Sequence, residues 1–337
     1  MGVRRQGQRM SVIFTRAPLR ISLGGGGTDI PSYYRERGGF LVAGAIDKYI
    51  YMLTHTVFQQ RYRLKYSEFE EVDDPADIRH PILREALCLH WQGAPLEIAS
   101  VADIPAGTGL GSSGSYTVCL LKALALAGRM ASTPGDIAEA ACHIEIDVLG
   151  EPSGKQDQYA AAHGGICAYT FHEDDTVTVE PLRLPDDTLQ KMQDGFLLFF
   201  TGETRKATTI LADQDARTRD MDAAMLANLD RTKEMGFESR ALLESGDLVR
   251  YAELMHEHWL NKKARSAGMS TGRADDMYDV ARANGAVGGK LVGAGGGGFL
   301  LVYSEDVDRL RRAMDGVSAP EVRFQFDFQG VFGTEHS

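Results

Sequence analysis

Residues Pro105 to Tyr116 read Pro-Ala-Gly-Thr-Gly-Leu-Gly-Ser-Ser-Gly-Ser-Tyr, and an apolar run from Thr117 to Ala127 follows at once. Glycines at 107, 109 and 111, adjacent hydroxyls at Ser112 and Ser113, and an apolar segment of helical length outline a loop whose amides converge at a helix N-terminus. Such a loop cradles a phosphate in outline. A tight turn between a strand and a helix is the alternative, and the rest of the chain has to decide. Lys122 is the only charge from Tyr116 to Ala127, so this helix is apolar nearly all round and predicted to be buried.

Two more glycine-rich stretches flank it at a distance. Upstream, a short strand over Ser11 to Thr15 leads through Arg16-Ala-Pro-Leu-Arg20-Ile-Ser-Leu into Gly24 to Gly27 and then Thr28-Asp29. Four glycines in a row cost backbone entropy, which marks a place where something approaches the backbone closely. Downstream, Gly288 to Gly298 predicts a third glycine loop ahead of a strand over Phe299 to Tyr303. No loop ends in Gly-Lys-Ser or Gly-Lys-Thr, which excludes the common P-loop. The Gly107 to Gly111 loop also lacks the acidic residue about 20 positions on that a dinucleotide fingerprint requires.

Between these loops the pattern alternates strands and helices. Phe40 to Thr56 reads as a mostly buried strand pair, Arg61 to Asp77 as a polar peripheral stretch, and Pro95 to Val101 as the strand that delivers the chain to the opening loop. Thr133-Pro134-Gly135-Asp136 starts a helix, with Thr as N-cap and Pro in the first turn, and the helix is predicted to run to about Leu149. Strands follow near Gly165 to Phe171, Thr176 to Glu180 and Gly195 to Thr201. From Thr204 to about Ala283 the reading is nearly all helical, with Asn284-Gly285 as the stop. A helix near Val307 to Met314 and a strand near Val322 to Phe328 close the chain. The prediction is an α+β fold, with a mixed α/β part over 11–202 and a mostly helical part over 203–337 completed by a small sheet; 1–10 reads as a disordered leader.

Two carboxylates stand out. In the helix after Thr133, Glu145 is the only charge on a stripe with Ala138, Ala141, Cys142 and Leu149. A desolvated carboxylate needs a cation or a hydrogen-bonding partner, so Glu145 is either a metal ligand or a paired core charge. In the loop from Gly150 to Gly165, Asp157 enters a short Ala-rich helix. There it serves either as a cap or as a general base. His256-Glu-His258 lacks the spacing of a zinc motif and reads as the polar side of a helix.

Composition bounds what these residues can do. A chain of 337 residues with 43% hydrophobic and 25% charged content suits a soluble protein of two compact domains or one large α/β unit. The net charge of −11 argues against nucleic acid. The four cysteines are widely spaced, three of them in apolar runs, and read as reduced core residues. The sequence has no apolar run of membrane-spanning length and no signal-peptide core, so a cytoplasmic protein is expected.

At these residues the chain resembles the GHMP kinases, the family of galactokinase, homoserine kinase, mevalonate kinase and phosphomevalonate kinase. Ala17-Pro-Leu-Arg20-Ile-Ser-Leu-Gly-Gly-Gly-Gly-Thr-Asp29 is similar to its first motif, Pro105 to Ser115 to its second and Lys290 to Phe299 to its third, in the family's order. Ala45-Ile-Asp-Lys-Tyr49, Asp147-Val-Leu-Gly-Glu-Pro152 and Gln156-Asp-Gln-Tyr-Ala-Ala-Ala162 most resemble those members that phosphorylate the anomeric oxygen of a heptose 7-phosphate. The resemblance implies a two-domain GHMP kinase fold, ATP and Mg²⁺ as cofactors, and a small sugar or sugar phosphate as partner, in a monomer or homodimer. It implies that Pro105, Gly107, Gly109, Leu110, Gly111, Ser112, Ser113, Gly114 and Ser115 hold the nucleotide. Ser113 and Glu145 would ligate Mg²⁺. Asp157 would take the hydroxyl proton, steadied by Arg20. Gly26, Thr28, Asp29, Gly295 and Gly296 would meet the substrate, and Lys155 is a further candidate outside the pattern.

The implied reaction turns D-glycero-D-manno-heptose 7-phosphate into the 1,7-bisphosphate. Another anomeric kinase such as a fucokinase-like enzyme, or a non-catalytic regulator on the same fold, is the alternative. Lys155 departs from the pattern, which expects a small residue there, and is open to two readings: a contact to substrate phosphate or a solvated loop lysine. Lys290, Arg205 and Lys206 are further candidates for a distal phosphate.

Overall fold

The computed structural model describes residues 11–203, 207–266 and 268–336. The expected leader over 1–10, and Arg205 and Lys206, lie outside them.

A long, twice-used strand organises the first part. Strand β1 (Val12–Gly24) runs through most of the first motif, and after helix α1 (Pro31–Arg37) comes β2 (Gly39–Thr56). The expected strand pair over Phe40 to Thr56 is thus one strand of 18 residues. It carries the length of two because different partners share its far edge. Gly39 to Gly44 pair with β6 (Ile166–Phe171) and Ile50 to Thr56 with β5 (Leu96–Ala102), while β1 lies antiparallel along the near edge. The register with β1 slips at Pro18, where the missing N–H interrupts a ladder.

The predicted peripheral stretch is the far edge of the same sheet, β3 (Tyr62–Lys65) and β4 (Phe69–Val72). Strand β3 lies parallel to β5, and β7 (Val177–Pro181) extends β6.

Helices cover the inner face of this sheet. Helix α2 (Pro81–His90) and the predicted buried helix α3 (Ser112–Ala127) pack there with α4 (Pro134–Cys142) and α5 (Gln156–His163). The core they share includes Leu19, Ile21, Val42, Leu120, Leu124 and Ala160, all fully buried. The helix after Thr133 does not stay regular to Leu149. Beyond Cys142 it widens into a π turn over His143–Val148; such turns are uncommon and recur at functional positions. Three of the four cysteines are buried and all are free.

The second part opens with α6 (Thr188–Gly195) and β8 (Phe196–Phe200), and then α7 (Ala207–Arg219), α8 (Ala223–Ser245), α9 (Leu248–Arg265) and α10 (Gly272–Ala283) follow. A three-stranded antiparallel sheet, ordered β8, β10 (Phe299–Ser304), β9 (Ala286–Leu291), lies under α9, α10 and α11 (Val307–Gly316). Its core gathers around Trp259. Here the expected third loop is partly strand, since Gly288, Gly289 and Lys290 belong to β9 and only Val292 to Gly298 form the loop. A Cβ on Gly288 would stand 1.7 Å from the Ala252 carbonyl oxygen, so this glycine lets α9 lie directly on the strand.

The expected strand over Val322 to Phe328 is absent. That segment crosses between the two sheets, bridging Glu321 to Phe199 at one end and Phe326 to Ile46 at the other. Its alternating pattern reflects one apolar side laid across both. The chain then forms β11 (Phe332–His336), antiparallel to β1. A division at residue 202 therefore leaves β8 and β11 each on the wrong side of the line.

Candidate active site

The opening loop turns into α3 at Gly111, which takes φ of 78°, a conformation that favours glycine. Ser112 and Ser113 form the first turn, where amide groups have no helical partner. Behind them the π turn delivers Glu145, 3% exposed. Its Oε2 accepts from Ser113 Oγ at 2.5 Å and its Oε1 from Gln158 Nε2 at 3.1 Å. Burial pushes this carboxyl up to about 6, against the lowering effect of the Ser113, Thr117 and Gln158 donors.

No cation meets Glu145 among the described residues, and no cluster of three His, Cys, Asp or Glu side chains is found among them. Gln158 Oε1 is buried beside it without a donor. One carboxylate, one hydroxyl and an unsatisfied acceptor at a phosphate-type loop suit Mg²⁺, which commonly takes one or two carboxylates and completes its shell with phosphates and water.

Asp157 stands in the first turn of α5. Arg20 on β1 donates to its Oδ1 from Nε at 2.8 Å and Nη2 at 2.5 Å, and from Nη1 to the Gly109 carbonyl at 2.7 Å. One guanidinium therefore fixes the aspartate and the glycine loop together. The Arg20 amide also donates to the Leu110 carbonyl at 3.0 Å. Asp29, 6% exposed, accepts from the amides of Gly27 and Gln156, each at 3.1 Å. Desolvation raises its carboxyl above the ordinary range despite those donors.

Ser113, Asp157, Arg20 and Asp29 face one cleft of about 230 Å³ between the two parts of the molecule, with Glu145 behind Ser113. Of the residues singled out in the sequence, Arg20, Gly26, Asp29, Gly107, Gly109, Gly111, Ser112, Ser113, Asp157, Lys290 and Gly295 line it. Others support it from behind. Ser115 Oγ donates to the Pro18 carbonyl at 2.7 Å, Thr28 Oγ1 lies between the Gly25 and Phe40 carbonyls, the Pro105 carbonyl accepts from Thr108, and Leu110 is fully buried. Gly114 packs against Asp157 and Gly296 donates to the Met269 carbonyl.

Lys155 is neither solvated nor on the cleft. It is 6% exposed, and its Nζ donates to Glu139 and to the Asp175 carbonyl, the latter at 2.7 Å. The opposite wall of the cleft holds residues the sequence did not single out as a site: Gln214, His258, Lys262 and Arg265, beside Lys290. His258, expected on the polar side of its helix, is 4% exposed.

The fold and site define the GHMP kinase class: two α/β parts closing on a cleft lined by three glycine loops. Residues 81–165 match the family described as GHMP kinases N terminal domain, and residues 239–318 match GHMP kinases C terminal. Both domains described for the GHMP kinases are thus matched in this chain, in N- to C-terminal order. It is 29% identical to the D-glycero-alpha-D-manno-heptose 7-phosphate kinase of Campylobacter jejuni subsp. jejuni serotype O:2, over 96% of this chain and 98% of that one.

Identity is 26% to the L-fucokinase/L-fucose-1-P guanylyltransferase of Bacteroides fragilis, over 94% of this chain and 37% of that longer protein. Among solved structures it superposes on a D-glycero-D-manno-heptose 1-phosphate kinase from Bacteroides thetaiotaomicron with a TM-score of 0.79, at 25% identity, over 96% of this chain and 98% of that one. Among the described residues no helix is long and apolar enough to cross a membrane.

Proposed function

We propose that the chain is an ATP-dependent kinase acting on the anomeric hydroxyl of a sugar phosphate, foremost D-glycero-D-manno-heptose 7-phosphate, and that Asp157 is its general base. The observation that carries the reading is the Arg20 clamp on Asp157 Oδ1, set at the mouth of a glycine loop whose Ser113 is tied to a buried Glu145. A regulator that only bound nucleotide would have no use for a positioned base. The heptose 7-phosphate in the name of the full-length Campylobacter relative supports the choice of sugar phosphate, and the name of the similar solved structure supports a heptose only.

In the proposed reaction the acceptor O–H gives its proton to Asp157 as the oxygen bonds to the γ-phosphorus. The bond from that phosphorus to the bridging oxygen breaks, and ADP leaves with the electron pair. Catalysis in this class comes mostly from positioning and charge neutralisation. The amides of the Gly107–Gly111 loop and the start of α3 would bind the nucleotide phosphates, and Asp29 would orient sugar hydroxyls. Mg²⁺ held by Ser113 and Glu145 would, when bound, neutralise charge on the β- and γ-phosphates.

Asp157→Asn is expected to keep nucleotide affinity and lower kcat by about 10²–10⁴-fold, measured by coupled ADP release and by nucleotide titration. Near-full turnover would remove Asp157 from the base role. A screen of sugars with and without a terminal phosphate tests the substrate. Turnover of L-fucose alone would move the reading to a fucokinase-like enzyme, and ADP release with none of them would favour a regulator.

A further inference from the structure

Four cations and two carboxylates face the cleft, Arg20, Lys262, Arg265 and Lys290 against Asp29 and Asp157, in a chain whose formal charge is −11. Arg20 is engaged by Asp157. The other three are more than nine-tenths buried, and among the described residues none is paired with a carboxylate. Lys262 donates to the carbonyls of Leu291 and Gly293, at 3.1 and 2.5 Å. Arg265 is spread over Asn228, Thr232, Gln214 and the Gly26 carbonyl, all neutral acceptors. Lys290 makes no hydrogen bond through its ammonium among the described residues; burial and the neighbouring Arg20 and Arg265 push it down to about 7.

Beside them the His258 ring, equally buried, leaves both nitrogens without a partner on the same cleft wall. Burying unpaired cations side by side is costly, and the partner that offsets this cost is an anion with several acceptor oxygens.

Placement selects which anion. Arg265 Nη1 reaches the Gly26 carbonyl, and the amide of the next residue, Gly27, donates to Asp29. Arg265 therefore adjoins the Asp29 end of the cleft, Lys290 neighbours Arg265 and Arg20, and Lys262 reaches the Gly293 carbonyl beside Gly109, whereas Ser113 and Glu145 lie at the start of α3. A sugar with its reacting hydroxyl at Asp157 and its ring hydroxyls at Asp29 would bring its far end toward Arg265 and the groups clustered beside it.

We infer that Lys262, Arg265, Lys290 and His258 seat the distal phosphate ester of the acceptor, and so make the enzyme select a sugar phosphate over the free sugar. The inference rests on the sugar 1-kinase reading and replaces Lys155 as the residue awaiting that phosphate. The nucleotide's γ-phosphate is the other source of the same chemistry, and the test separates the two.

Steady-state ADP release is measured for the full chain, Lys290→Met and Lys262→Met with D-glycero-D-manno-heptose 7-phosphate and with D-glycero-D-manno-heptose. Calorimetry is run in parallel with D-mannose 6-phosphate, D-mannose and a non-hydrolysable ATP analogue. Each variant should shrink the preference for the phosphorylated sugar in kcat/KM by about tenfold to hundredfold, mainly through KM. Affinity for D-mannose 6-phosphate should fall in step while affinity for the nucleotide analogue holds.

An unchanged preference in both variants overturns the inference and leaves the kinase reading intact. A matching loss of nucleotide-analogue affinity also overturns it, assigning the wall to the γ-phosphate. If no sugar is turned over, the kinase reading falls. The calorimetry then decides alone: binding of D-mannose 6-phosphate but not D-mannose, lost in both variants, sustains the phosphate seat, and any other result overturns it.

Discussion

Glu145 illustrates what one buried group contributes and what it costs. Its carboxyl is pushed up to about 6 from the ordinary 4.5, so the folded state holds the proton more tightly than the unfolded chain. Its protonated form is favourable in the fold at low pH, and that advantage is lost as pH rises from about 4.5 through about 6. Above that range the ionised carboxyl is a standing cost of about 2 kcal/mol. Glu145→Gln is expected to melt higher than wild type at pH 8 without Mg²⁺ and to lose that margin at pH 4. A margin independent of pH, read by thermal melts, would rule this account out. Added MgATP should stabilise the wild type and not the variant.

Glu145 and Asp157 were legible in the sequence because a lone carboxylate among Ala, Cys and Leu, or at a short helix start, is locally anomalous. Lys262 and Arg265 were not. On a helix with as many charges as α9 they look like a solvated face, and only the packing of α9 on β9 shows that they are buried.

At the scale of elements, the site depends on how closely α3 and α5 lie. A Cβ on Gly114 would stand 2.6 Å from Asp157 Cβ and 2.9 Å from the Gln158 amide nitrogen. Gly114→Ala must push the two helices apart, at a cost of about 1–3 kcal/mol, and move the proposed base and the Glu145 partner together. Urea unfolding and kcat should both report the damage; a stable variant with full activity would show that α5 shifts freely.

The order and kind of most elements were readable from periodicity and caps, as with Thr133 and its capping box. Two things were not. The π turn beneath Glu145 has no local sequence signature, since it inserts a residue into an otherwise helical pattern. The Val322 to Phe328 segment alternates as a strand does, yet lies across two sheets and pairs with neither for more than one residue.

For the whole molecule, the decisive fact is that the last strand completes the first sheet. Strand β11 covers the edge of β1 through five registered pairs, from Val12–His336 to Arg16–Phe332. Deleting Phe332 to His336 should lower the melting temperature and promote aggregation, because an open edge strand is a template for pairing with other chains. Light scattering during a thermal ramp would test this, and a truncated protein as stable and soluble as the parent would contradict it. The expected division at residue 202 missed this closure, because register between strands more than 300 residues apart leaves no trace in local pattern.

That closure sets a clock on biosynthesis. Synthesis proceeds at about 5–20 residues per second, so roughly 15–60 s pass between the emergence of β1 and that of the strand that covers it. Throughout that interval the strand carrying Arg20 has a bare edge, and the nascent protein depends on its long middle to fold without recruiting a neighbour there.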